Sequence, residues 1–409
     1  MNENISVVSQ PLFSSFFIGG FECSNHVLRS GKRLDLIAGT QHDKFVREDY
    51  RRLREAGITT ARDGFRWHLI EKTPGNYDFS SAIPMLRAAR ENQICVIWDL
   101  LHFGWPDHVD VFASDFVARF ESFVRALVRV LEIEGDDAPY ISPVNEISFF
   151  SWAGGDAGFF NPFVHGRGHE MKKQLAAAAI AASKILRRWN PRTRLFHVDP
   201  MIQICAKADR PQDRPEAEGH RQAMFQSWEM ICGAMYPELG GAPEYLDVVG
   251  VNYYSNNQWI HGGGTIGNSH PQYVPLRYLL REVGERFGRP LFIAETGTEA
   301  EARPDWLRYI GQEARAARSL GVDLQGVCLY PILNHPGWDD DRHCPNGLWD
   351  YADQNGNREA YAPLLHELQH QQELMTHETS APVETVDATM LDAAALSMEE
   401  ANARVRVEE

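Results

Sequence analysis

Eight short apolar runs, separated by longer stretches with apolar residues spaced three or four apart, span residues 16 to 370 of this 409-residue chain. The runs fall at 16–22, 59–67, 94–101, 140–146, 194–200, 246–254, 290–295 and 325–333. Most are continuously apolar rather than alternating, the pattern of strands in a parallel sheet covered on both faces. The intervening stretches 45–56, 81–91, 115–132, 170–189, 222–235, 276–287, 305–320 and 359–369 read as helices. The third of them follows Ser114, a good N-cap, and repeats Phe116, Phe120, Phe123, Val124 and Leu127 along one face. Gly57 and Gly321 stand where helices should stop before the second and eighth strands. Eight strands, each followed by a helix, predict an α/β fold, the (β/α)8 TIM barrel. A doubly wound open sheet is the alternative. It would favour a Gly-x-Gly-x-x-Gly turn after the first strand, and Ile18-Gly19-Gly20-Phe21-Glu22 lacks that spacing.

The connections are unequal. Those that follow strands, at 22–42, 148–169, 201–221, 255–275 and 334–357, are long and rich in Gly, His, Trp and Asn. In a barrel they all emerge at the carboxyl-terminal face, where barrel enzymes place their sites. Beyond residue 371 the chain turns acidic and poor in aromatics. The expected organisation is an amino-terminal segment (1–15), a catalytic barrel (16–370) and an acidic tail (371–409) that is disordered or loosely docked, with one short helical stretch at 390–404.

A net charge of −16 opposes binding to nucleic acid or to anionic membrane surfaces. No stretch approaches the ~20 apolar residues of a membrane helix. Met1–Gln10 has no basic region followed by an apolar one, so no secretory signal is visible. Six scattered cysteines without a Cys-x-x-Cys pair fit reduced thiols, and the expected location is cytoplasmic. The sequence leaves the oligomeric state open.

Two glutamates carry the chemistry. Glu146 closes the fourth apolar run, and Glu295 closes the seventh, 149 residues later. A closed barrel would set both at one mouth. Hydrolysis of a glycosidic bond needs such a pair, one to protonate the leaving oxygen and one to attack or stabilise the sugar cation. Other strand ends add Glu22, Arg62, Trp67, His102, Asn145, Asn252, Tyr254, Tyr330 and Trp338, with His26 close behind the first strand. Aromatic faces with Asn, His and Arg donors suit a sugar, which offers apolar C–H faces and many hydroxyls. Two cation-site patterns are weaker. His165-x-x-x-His169 has helical ligand spacing, but Gly166 and Gly168 favour a loop, and Asp339–Asp341 with His335 and His343 reads as a solvated loop. No metal and no organic cofactor is expected.

These segments, in this order, resemble the retaining β-glycosidases of clan A, and most of all the family 1 β-glucosidases. The likeness runs from about Phe16 to Tyr361. Thr60-Ala61-Arg62 through Trp67 resembles the family's Arg-Phe-Ser-x-x-Trp, which implies that Arg62 reaches toward the nucleophile. Leu101-His102 before Pro106 resembles Leu-x-His-Trp-Asp-x-Pro and makes His102 a sugar ligand. Val144-Asn145-Glu146 resembles Phe-Asn-Glu-Pro, with Glu146 as acid/base and Asn145 on the sugar 2-hydroxyl. Gly250-Val251-Asn252-Tyr253-Tyr254 resembles Gly-Ile-Asn-Tyr-Tyr, with Tyr254 on the nucleophile. Ile293-Ala294-Glu295-Thr296-Gly297 resembles Ile-Thr-Glu-Asn-Gly, with Glu295 as nucleophile.

The departures are as specific. Ser24-Asn25-His26 stands where the family has a sugar-gripping Gln. After the eighth strand, Tyr330 replaces the usual Trp platform and Gly337 the sugar-binding Glu, and Ile147 rather than Pro follows Glu146. The resemblance therefore implies a retaining β-glycosidase with a carbohydrate or glycoside substrate whose glycone is not plain glucose. Two alternatives stay open: a transglycosidase using the same covalent intermediate, and a non-catalytic sugar-binding relative.

Overall fold

The computed structural model describes residues 11–135, 139–338 and 341–380. Eight parallel strands close into a barrel: β1 (Phe17–Gly20), β2 (Thr60–Gly64), β3 (Cys95–Asp99), β4 (Tyr140–Ser142), β5 (Arg194–Pro200), β6 (Val248–Asn252), β7 (Leu291–Thr296) and β8 (Leu324–Leu329). Each pairs with its neighbours in sequence, and β1 seals the ring against β8 through Phe17↔Val327, Ile18↔Cys328 and Gly19↔Leu329. The doubly wound alternative is thereby excluded. Ile18, Ile97, Phe196, Val198, Val248, Phe292, Ala294 and Cys328 form one buried cluster with Phe13, whose ring lies 5.9 Å from Phe196 and 5.6 Å from Phe292. Phe13 thus packs against the amino-terminal ends of the strands, while the opposite ends stay free for chemistry.

The principal helices are α1 (His42–Glu55), α2 (Ile83–Asn92), α3 (Phe116–Glu134), α4 (Gly168–Trp189), α5 (Gln226–Ile231), α6 (Leu276–Phe287), α7 (Arg303–Ser319) and α8 (Ala362–Ser380). On α3, Phe116, Phe120, Phe123, Val124, Leu127 and Leu131 are all buried, which is the expected stripe. Its N-cap is Asp115 rather than Ser114. Gly57 and Gly321 have φ of 75° and 85°, the left-handed conformation that ends a helix. The helix expected at 222–235 is shorter, because Gly233 at φ 81° terminates it, and the chain before it is already helical over Arg214–Gln222. The last helix starts later than expected, because Arg358–Ala360 pairs as a strand with Trp349–Ala352. The chain divides into two units between Gln371 and Gln372. The expected acidic tail, apart from the end of α8, lies outside the described residues. Among those residues no helix is long and apolar enough to cross a membrane. None of the six cysteines forms a disulfide.

Candidate active site

Arg62, at the third position of β2, organises the carboxyl-terminal mouth. It is fully buried and spends its donors on four partners. Nη1 reaches Glu295 Oε1 at 2.6 Å and the Ala294 carbonyl at 3.2 Å. Nη2 reaches Asp99 Oδ2 at 2.7 Å and Asn145 Oδ1 at 2.6 Å, and Nε reaches Asp99 Oδ1 at 3.3 Å. One guanidinium thus ties β2, β3, β4 and β7 together, using the rigid fork that lysine lacks. Asp99 was not among the expected site residues. It is the carboxylate that keeps Arg62 charged in a dry interior, and with Glu295 it holds the arginine well above its usual range against the opposing effect of burial.

Glu295, the fifth of the six residues of β7, has both oxygens engaged. Arg62 takes Oε1, and the Tyr254 hydroxyl donates to Oε2 at 2.9 Å. Both partners donate, so each oxygen of Glu295 serves as an acceptor. Burial and the Glu295 charge keep the Tyr254 phenol protonated, well above the ordinary range.

Glu146 is placed differently. Asn145 and Glu146 extend β4 by backbone bonds to Leu101 and Val198, both 2.9 Å. The chain then turns sharply at Glu146 itself, which adopts φ 45° and ψ 56°, a left-handed conformation rare outside glycine. The regular strand accordingly ends at Ser142, short of the run 140–146 expected from the sequence. The Glu146 carboxyl, in a residue only 8% exposed, has one hydrogen-bond partner, the Asn252 amide, which donates to Oε1 at 2.7 Å. Burial, then the charge of Glu295, pushes Glu146 well above the usual carboxylate range, with Asp199 adding to the rise and Asn252 and Arg62 opposing it. The two carboxyls therefore have different environments: Glu295 accepts from a guanidinium and a phenol, and Glu146 is pushed toward the neutral acid.

His102 joins the same network. Its Nδ1 lies 2.9 Å from Asp99 Oδ2, and its Nε2 is 3.0 Å from Asn145 Nδ2. Asn145 Oδ1 accepts from Arg62, so its amide nitrogen is the donor, and the hydrogen-bond pattern assigns the imidazole proton to Nδ1. Glu22 Oε1 accepts from the Ser24 amide at 2.9 Å, the Ser24 hydroxyl at 2.5 Å and the Tyr330 hydroxyl at 3.3 Å. Tyr330 lies parallel to His102, centroids 6.1 Å apart, with the Arg62 guanidinium 5.4 Å from its ring centre. Gly20 makes room for it, since a Cβ there would come 2.2 Å from Tyr330 Cδ2. Cys23, Asp99 and His102 offer ligand atoms within 4.8 Å of one another. However, Arg62 occupies both oxygens of Asp99, and burial with neighbouring carboxylates drives the Cys23 thiol well above its usual range. A metal-binding cysteine must be a thiolate, so the trio serves the arginine rather than a cation.

Glu22, Arg62, His102, Asn145, Asn252, Tyr254, Tyr330 and the two glutamates thus come together. The side chains of Trp67, His26 and Trp338 do not join this hydrogen-bonded network. Trp67 is fully buried against α3, stacked on Phe123 at 5.2 Å, with its indole N–H on Glu71. It starts a helical turn rather than ending a strand, and it is part of the core between β2 and α3. His26 is sealed among Phe160, Trp338 and Phe103, with both ring nitrogens unpartnered, and its pKa is lowered to about 3 by burial. Trp338 lies edge-on to that ring at 4.8 Å. His165 precedes the helix that begins at Gly168, and its ring bonds the Asp156 carbonyl, so its spacing to His169 does not lie on one helix. Of the acidic loop, Asp339 and Asp340 lie outside the described residues, and Asp341 pairs with Lys32.

No family model and no curated protein matches the sequence. The fold, however, has solved counterparts. A β-glucosidase from Thermotoga maritima in complex with glucoimidazole superposes with a TM-score of 0.73 at 16% identity, covering 88% of this chain and 99% of that one. The fold is that of the family 1 β-glucosidases. The family 1 β-glucosidase from Thermotoga maritima gives 0.72 at 15% identity over 88% of this chain and 98% of that chain. A β-glycosidase from Pyrococcus horikoshii gives 0.68 at 16% identity over 85% and 89%. The (β/α)8 barrel is shared with these structures at that low identity.

Proposed function

We propose that the protein is a retaining β-glycosidase acting by double displacement. Glu295 attacks the anomeric carbon and forms a glycosyl-enzyme, while Glu146 gives its proton to the departing oxygen. Water, deprotonated by Glu146, then releases the sugar. The observation that carries this reading is the split between the two carboxyls: Arg62 and Tyr254 hold Glu295 as the nucleophilic anion, and burial with the Glu295 charge keeps Glu146 protonated. Formation of the ester removes the charge of Glu295, so the pKa of Glu146 falls and it becomes a base when a base is needed. The glycone is a neutral sugar other than glucose, because Tyr330, Gly337 and the segment Ser24-Asn25-His26 replace the residues with which the family grips glucose.

The test is chemical rescue. Glu295→Ala should fold and lose turnover by several orders of magnitude on an activated aryl β-glycoside, and azide or formate should restore part of it with inverted product. Near wild-type turnover by that variant would overturn the assignment.

A further inference from the structure

Asp199, the sixth residue of β5, has no role in the mechanism above, yet it is fully buried beside the turn that carries Glu146. Both of its oxygens accept from the Ser148 backbone N–H, at 3.0 and 3.1 Å, and Oδ2 also accepts from the Ser227 hydroxyl of α5. Its neighbour Val198 accepts the N–H of Glu146. β5 therefore grips the chain at Glu146 and again two residues beyond it. A left-handed residue such as Glu146 persists only where the surroundings over-determine it.

We propose that Asp199 is a positioning residue for the acid/base: it anchors the turn bearing Glu146 and, when ionised, sets a negative charge beside that carboxyl. The inference rests on the assignment of Glu146 as the acid/base. The charged and titratable groups facing Glu146 are Glu295 from β7, Arg62 from β2, Tyr254 beyond β6 and Asp199 from β5. Those acting on Asp199 include Lys172 of α4, whose amine bonds the Ala223 carbonyl and Gln226 instead of the carboxylate. Among the described residues no cation therefore pairs directly with Asp199, and its charge acts on Glu146. Burial pushes Asp199 up to about 6, against the pull of Ser227, Lys172 and Ser148, so the device operates above that pH.

The experiment compares wild type, Asp199→Asn, Asp199→Glu and Ser227→Ala. Asp199→Asn keeps the shape and one acceptor oxygen but removes the charge. The alkaline limb of kcat/KM should move to lower pH by about half a unit to one unit in this variant. The rate loss should be at least tenfold greater for alkyl than for dinitrophenyl leaving groups. Asp199→Glu should restore the limb in part. Ser227→Ala, which weakens the hold on the ionised form without touching β5, should shift the limb in the same direction as Asp199→Asn below pH 7. In parallel, the carboxyl carbon of Glu146 is titrated by NMR in wild type and Asp199→Asn, a readout that needs no substrate. A lower Glu146 pKa in the variant supports the proposal even if no glycoside is turned over, which would instead sink the glycosidase reading. An unchanged Glu146 titration, or a rate loss uniform across pH and leaving groups, would overturn it and leave Asp199 a packing residue.

Discussion

At the residue scale, the two glutamates differ by their partners, and the difference has a measurable sign. Glu146 must be protonated to act, and burial with the Glu295 charge raises its pKa, so kcat/KM should fall as pH rises through that raised value. Glu146→Gln should abolish the alkaline limb and reduce alkyl glycoside hydrolysis by ~10²–10⁴-fold, the usual contribution of a general acid, with much smaller loss on activated aryl substrates. Equal losses on both would show that Glu146 does something other than protonate the leaving group. Among the described residues Asn252 makes the single hydrogen bond to this carboxyl, and its side-chain oxygen Oδ1 is buried without a partner. Such an orphan acceptor is costly unless a ligand hydroxyl meets it.

At the element scale, β2 is held as firmly as it holds Arg62. Its Asp63 accepts from Tyr50 at 2.7 Å and contacts His42 Nε2 at 2.9 Å, while the other nitrogen of His42 meets Asp49 at 2.8 Å. Arg358 closes the cluster on Asp49 at 2.7 Å. Burial opposes the charge of His42, but Asp63 and Asp49 push its pKa up to about 9. A folded pKa above the unfolded one adds stability that is complete below the unfolded value and is lost as pH rises through about 9. Unfolding free energy from urea titrations should therefore drop by on the order of 3 kcal/mol between pH 7 and 10, and His42→Gln should remove that slope. A slope identical in the variant would refute it. This cluster was invisible in the sequence because its members, from residue 42 to residue 358, are brought together only by the closed barrel. The strands and helices themselves were legible, since continuous apolar runs and helical stripes are local signals. The strand-end polar residues were legible too, apart from Asp99 and Asp199, which sit inside apolar runs and read as interruptions. Trp67 misled because a strand-end position says where a residue starts, not which way the chain turns next. His26 misled because a loop histidine gives no sign that three aromatic rings will close over it.

At the scale of the whole molecule, the surplus of acidic over basic residues extends to the mouth, where Glu22, Glu295 and Asp99 outnumber Arg62. Placing a phosphate or carboxylate on the sugar should lower kcat/KM more than tenfold at low ionic strength, and 0.5 M salt should recover part of the loss. Anionic glycosides turned over as well as neutral ones would contradict this. The seam between β1 and β8 has one more consequence. Of the barrel strands β1 precedes the others in the chain, and one of its two partners is Leu324–Leu329, so the ring cannot shut until β8 has been made. Until then β1 presents an unpaired edge, the kind of surface that recruits other chains. A nascent or truncated chain ending before Leu324 should therefore lack more than one strand: it should lose solubility altogether, and with it any meeting of Arg62 and Glu295, although both are already present in the fragment.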